Sequence, residues 1–137
     1  MNYSTFDNKN FFIKKDSTFP LLTYPLIQQL REQYNITDEM LENVAVTFSM
    51  TDADTGLYRI ANVPADLIIN NNIADNPSEE LYTLVYKFRL KDTRKCGRFL
   101  GEFKLDFLND CSFKITLPVS NFINITISDS ITKTSVI

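Results

Sequence analysis

The side chains best suited to chemistry in this chain crowd into one short stretch, where Lys87, Arg89, Lys91, Arg94, Lys95 and Arg98 follow one another closely. Such a cluster suits a phosphate group or an acidic protein surface. No stacking aromatics are interleaved with the charges as on a single-strand nucleic-acid platform, so nucleic acid ranks behind an acidic protein. A solvated face that guards against edge-to-edge aggregation ranks ahead of both. A second candidate is Asp52-Ala-Asp-Thr-Gly56, whose two carboxylates one residue apart resemble the opening of a calcium loop. It lacks a third oxygen position before the Gly and a closing Glu, and it reads as a hairpin turn built on Asp and Gly chemistry.

The remaining chemistry is sparse. Histidine is absent, which removes the commonest general base, the commonest metal ligand and any Ser-His or Cys-His pair. Cys96 lies near Lys95 and Arg98 without a base partner in sequence, so a structural thiol is expected. Glu79, Glu80, Glu102 and Asp106 offer no acid/base pair, and Glu102 and Asp106 alternate with Lys104 as on a solvent-facing strand. No Gly-rich phosphate loop or Gly-x-Ser-x-Gly elbow is present. Asn2-Tyr-Ser, Asn35-Ile-Thr and Asn124-Ile-Thr match the glycosylation pattern, and since the N-terminus lacks the basic and apolar regions of a signal peptide they are expected to be chance matches in an Asn-rich chain. The expectation is a protein that is not an enzyme, with no catalytic residues, no cofactor and no metal.

The elements that would position these residues are strands. Leu84, Tyr86, Phe88 and Leu90 share one face of a first run, and Phe99, Phe103, Leu105 and Phe107 share one face of a second. Between them, Lys91-Asp-Thr-Arg-Lys-Cys-Gly97 reads as the turn of a central hairpin. Val44, Val46, Phe48 and Met50 alternate in another strand; Leu57–Ile60 and Ala65–Ile69 are shorter runs, and the polar segment Asn70–Glu80 reads as a loop. Phe113, Ile115 and Leu117 form one more row, and Ile123, Ile125 and Ile127 the last. Leu26, Ile27, Leu30 and Tyr34 recur at helical spacing after Pro25, which predicts a short helix, and Thr37 is placed to cap a further turn over Met40 and Leu41. The fold class expected is all-β, an antiparallel β-sandwich of about seven strands with one short helical insertion.

At 137 residues, with 44% apolar residues and 11 Phe, the chain has the size of one domain with a substantial core. A net charge of −3 gives no global basic field, and no apolar run reaches membrane-spanning length. The division expected is an N-terminal arm over 1–10, a sandwich over 11–128 and a C-terminal tail over 129–137. Cys96 and Cys111 bracket the Phe99–Phe107 strand and should lie too far apart for a bridge. Phe6, Ile131, Val136 and Ile137 are candidate anchors in a neighbour's groove, and Tyr58 and Tyr82 are the aromatics available to a carbohydrate- or receptor-binding surface.

Three segments in order carry a family resemblance: Ile13-Lys-Lys-Asp-Ser-Thr-Phe-Pro-Leu-Leu22, Val44-Ala-Val-Thr-Phe-Ser-Met-Thr-Asp-Ala-Asp-Thr-Gly56, and Tyr86 through Phe107. Together with Leu117-Pro118 they resemble the N-terminal domain of the phage baseplate upper protein family. The resemblance implies an immunoglobulin-like sandwich in a virion, with Gly97 supplying a turn that Asp92 and Thr93 hold by side-chain to backbone bonds. It also implies other virion structural proteins as partners. A homo-oligomer in the particle is expected with it, and the lack of a spanning run and of the basic and apolar regions of a signal peptide at the N-terminus leads to the expectation of no membrane and of synthesis in the host cytoplasm. A head-fibre, a capsid-decoration protein or a surface carbohydrate-binding module are the alternatives.

Overall fold

The computed structural model describes residues 9–70, 81–109 and 113–130. The chain runs through β1 (Lys9–Lys14), β2 (Leu22–Pro25), helices α1 (Gln28–Gln33) and α2 (Asp38–Leu41), β3 (Val44–Asp52), β4 (Tyr58–Pro64) and β5 (Asp66–Ile69). It continues with β6 (Tyr82–Tyr86), a 3-10 turn (Leu90–Thr93), β7 (Gly97–Phe107), β8 (Lys114–Leu117) and β9 (Ile123–Ser128). The larger sheet has the order β1-β9-β7-β3-β4, and the smaller has the order β2-β6-β5. β3 occupies one edge of β7, while β9 pairs with Gly97–Gly101 and β8 with Phe103–Asp106 along the other. The protein is an all-β sandwich, with nine strands among the described residues and two short helices in its insertion.

Alternation builds the core. Val46, Phe48 and Met50 of β3, Phe99, Phe103, Leu105 and Phe107 of β7 and Ile123, Ile125 and Ile127 of β9 are buried on the inner face of the larger sheet. Leu22, Tyr24, Tyr82, Leu84 and Tyr86 face them from the smaller one, and Phe88 joins them just past β6. Phe48 stacks on Tyr86 with ring centroids 4.6 Å apart and meets Phe103 at 5.0 Å, which ties β3, β6 and β7 at one point. Each such buried side chain contributes roughly 1.5–3 kcal/mol relative to exposure.

The central hairpin expected from Leu81–Phe107 is corrected: β6 and β7 lie in different sheets, and the segment between them arches from one to the other. The alternation is the same in both geometries. In a hairpin the two apolar rows would lie side by side, whereas here they face each other across the core. Leu90 leaves the row altogether and stands 54% exposed, because the chain has turned into the 3-10 segment by that point. Phe113 is likewise exposed outside β8, while Ile115 is half-buried and Leu117 buried. A second correction concerns β1, which pairs with β9 in parallel, so the larger sheet is not wholly antiparallel.

The insertion between β2 and β3 matches its pattern. Leu26 and Leu30 are fully buried, Asn35 ends α1 with φ 56°, and Thr37 Oγ1 accepts the Met40 N–H at 3.2 Å to cap α2. Pro25 closes β2 rather than opening the helix. The arm anchor Phe6, the tail anchors Ile131, Val136 and Ile137, most of the Asn70–Glu80 loop, and Cys111 lie outside the described residues.

Gly101 sits where β7 passes closest to its neighbours. A Cβ there would stand 2.8 Å from Ile125 Cδ1 and 2.9 Å from the Phe48 ring. The variant Gly101→Ala is expected to lose about 1–3 kcal/mol through overpacking, read as a lower midpoint in denaturant unfolding.

Candidate functional site

The arch between the sheets holds the densest polar network among the described residues. Asp92 in the 3-10 turn is 1% exposed, and its Oδ2 accepts the Tyr86 hydroxyl at 2.7 Å and the Arg89 backbone N–H at 2.9 Å. The Arg89 guanidinium closes the pair, with Nη2 donating to Oδ1 at 2.8 Å and Nε to Oδ2 at 3.1 Å. A buried carboxylate persists only when its oxygens are met in this way. Thr93, fully buried, donates its hydroxyl to the Ser17 carbonyl at 2.8 Å, and its own carbonyl accepts the Asp16 N–H at 2.9 Å. The arch is thereby fastened to the connection between β1 and β2. Gly97, at φ 148°, starts β7 on the far side.

Burial by itself would raise the Asp92 carboxyl, but the hydrogen bonds from Arg89 and Tyr86 together outweigh it and hold the group below the usual carboxylate range. Tyr86 is pushed up by burial first and by its bond to Asp92 second, so it stays protonated and donating.

Over this network lies a cleft of about 580 Å³, lined by Arg59, Arg89, Lys91 and Arg94 above Ile60 and Val63. Arg59 reaches it from β4, where the register with β3 slips on both sides of Met50. Asn62, at φ 51°, takes the bulge position, with its N–H donated to Ser49 Oγ at 2.9 Å. Arg59 Nη2 donates to the Lys91 carbonyl at 3.0 Å, which joins the edge of the larger sheet to the arch. Among the described residues the ion pairs are Arg31–Asp38 and Arg89–Asp92. The cleft therefore presents Lys91 and Arg94 as exposed cations free of an ion pair, a surface suited to carboxylate or phosphate oxygens.

The basic run of the sequence is thus divided by the fold. Arg89 does not belong to the solvated face expected of the cluster, because its guanidinium donates to the buried Asp92. Lys91 and Arg94 enter the cleft, while Lys87, Lys95 and Arg98 are exposed outside it. Arg59 was missed by sequence reasoning, since its place depends on two irregularities in a strand that shows no periodic signal.

The other candidates resolve simply. Asp52 Oδ1 accepts the N–H groups of Asp54 at 2.8 Å and Thr55 at 3.0 Å, and these bonds hold its carboxyl below the usual range. Gly56 completes this hairpin turn at φ 75°. No group of three or more metal-ligating side chains occurs among the described residues. Cys96 Sγ lies 3.1 Å from Asp129 Oδ1. Tyr58 is 68% exposed, but Tyr82 is buried beneath the Arg31 guanidinium, 5.1 Å from its ring centre, so these two do not form an aromatic surface together. Comparison with protein families, curated proteins and solved structures returns no match.

Two predictions test the arch. Asp92→Asn is expected to cost about 2–3 kcal/mol, below the full value of a broken buried pair because the half-exposed Arg89 can turn to water; Tyr86→Phe should cost about 1–1.5 kcal/mol. Both are read by denaturant unfolding. Because the folded Asp92 carboxyl titrates below its unfolded value of about 3.9, its contribution is complete above about pH 4 and is lost as pH falls through the lower folded value. Stability of the parent should fall in that acid range more steeply than stability of Asp92→Asn.

Proposed function

We propose that this chain is a non-enzymatic structural protein of a bacteriophage virion, a tail or baseplate block that connects neighbouring virion proteins. The observation that carries this reading is the parallel pairing of β1 with β9, in register from Lys9 opposite Ile123 to Lys14 opposite Ser128. The described chain enters the sandwich at one end of this edge and leaves it at the other, roughly 20 Å away. Lys9 and Ser128 thus mark opposite ends of a rigid block, the separation that a connector requires.

Two further observations support it. The segments that resemble the baseplate upper protein family meet in space: β3 pairs with β7 along its whole length, and the 13–22 segment is tied to the arch through Ser17 and Thr93. The most deeply buried polar groups, Asp92 and Thr93, hold backbone and neighbouring side chains in place.

The test is the protein content of purified phage particles made from the genome that encodes this chain. The expected outcome is a fixed copy ratio to other tail or baseplate proteins, retained through density-gradient banding. Recovery in the soluble lysate alone would overturn the proposal, and a ratio matching the major head protein would move the chain to head decoration.

A further inference from the structure

We infer that the basic cleft is an interaction surface for a second copy of this chain, and that it receives the acidic end of helix α2. This goes beyond the virion reading and does not rest on it. The two surfaces lie at opposite ends of β3. Helix α2 and Glu42 directly precede the start of β3 at Val44. Arg59 lies beside its far end, where Thr51 pairs with Tyr58 and Met50 with Ile60. Nine residues of strand separate them by roughly 25–30 Å, so the cleft of one molecule is out of reach of its own α2.

Their charges are complementary in arrangement as well as in sign. Lys91 and Arg94 are three residues apart on the 3-10 turn, with Arg94 the capping residue at φ −71° and ψ −22°. Side chains at that spacing stand one above the other. Glu39 and Glu42 are likewise three apart, with Glu42 the capping residue at φ −70° and ψ −25°, so they share one face of α2. All four are exposed, and none belongs to an ion pair among the described residues. Asp38, beside them, is occupied by Arg31. Ile60 and Val63 give the cleft an apolar floor. A chain of net charge −3 that keeps a basic cleft at one end and an acidic turn at the other is built to meet itself.

The test is sedimentation velocity of the full chain at low and high ionic strength, with two paired neutralisations. The unaltered protein should associate at low salt and dissociate toward monomer as salt screens the contact. K91Q/R94Q and E39Q/E42Q should each weaken self-association about tenfold or more, while Lys95→Gln, outside the cleft, should not. Mixing the two double variants should restore association, because each supplies the surface the other lacks. E39Q/E42Q is the discriminating arm: it moves the net charge toward zero, which by itself favours association. Circular dichroism confirms that each variant is folded before it is scored. A monomer at low salt, an oligomer indifferent to salt, or double variants that associate like the parent would each overturn the proposal. So would a parent that stays monomeric while an oligonucleotide or heparin fills the cleft.

Discussion

A single carboxylate decides how the two layers of this protein are joined. Asp92 is surrounded by donors from the residues that precede it: the Tyr86 hydroxyl from the last position of β6, and the backbone and guanidinium of Arg89. Without that acceptor the Tyr86 hydroxyl would be an unmet donor inside an aromatic cluster, against Phe48 and Phe88. With it, the chain is bent out of the smaller sheet and delivered to Gly97 at the start of the central strand of the larger one. Neighbouring Thr93 passes the same constraint to the β1–β2 connection through Ser17 and Asp16. The polar contact at the rim thus holds the crossing between the layers, while the apolar rows on the two inner faces supply most of the packing energy.

The extent to which this could be read from sequence follows from what each signal encodes. Val46, Phe48 and Met50, or Ile123, Ile125 and Ile127, declare strands with one buried face, and both rows are buried as their period requires. Thr37 declares a cap through its spacing to Met40. Period two says which face is buried but not which sheet a strand joins, so the rows containing Tyr86 and Phe103 fitted a hairpin and an arch equally well. The deciding information sits in Asp92, whose burial becomes visible only when Tyr86 and Arg89 are placed around it. Arg59 was illegible for a related reason: it reaches the cleft through slips in β4 that leave no periodic trace.

The same separation governs the charged surface. Six cations close together in sequence look like one patch, yet the arch commits Arg89 to the interior and leaves Lys91 and Arg94 at the cleft. The hairpin turn of Asp52 uses its carboxylate on its own backbone in the same spirit. Polar groups that looked available for chemistry, Arg89 and Asp52 among them, are bound into structure, and Lys91 and Arg94 remain exposed at the cleft.

The parallel strand β1 carries a consequence for the order of events in synthesis. Among the described residues its one neighbour within the larger sheet is β9, whose first residue follows its own by more than a hundred positions. Everything from β2 to β8 can be made before β1 has its β9 partner, so this edge closes after those strands and by a contact of very high sequence separation, the kind that folds slowly. Until Ile123–Ser128 leaves the ribosome, Phe11 and Ile13 have no adjacent strand to hold them over the core, although both are buried in the finished sandwich. A nascent chain of this design completes its apolar lid only with β9, and termination before β9 would leave both β1 and the β9-facing side of β7 as unpaired edges.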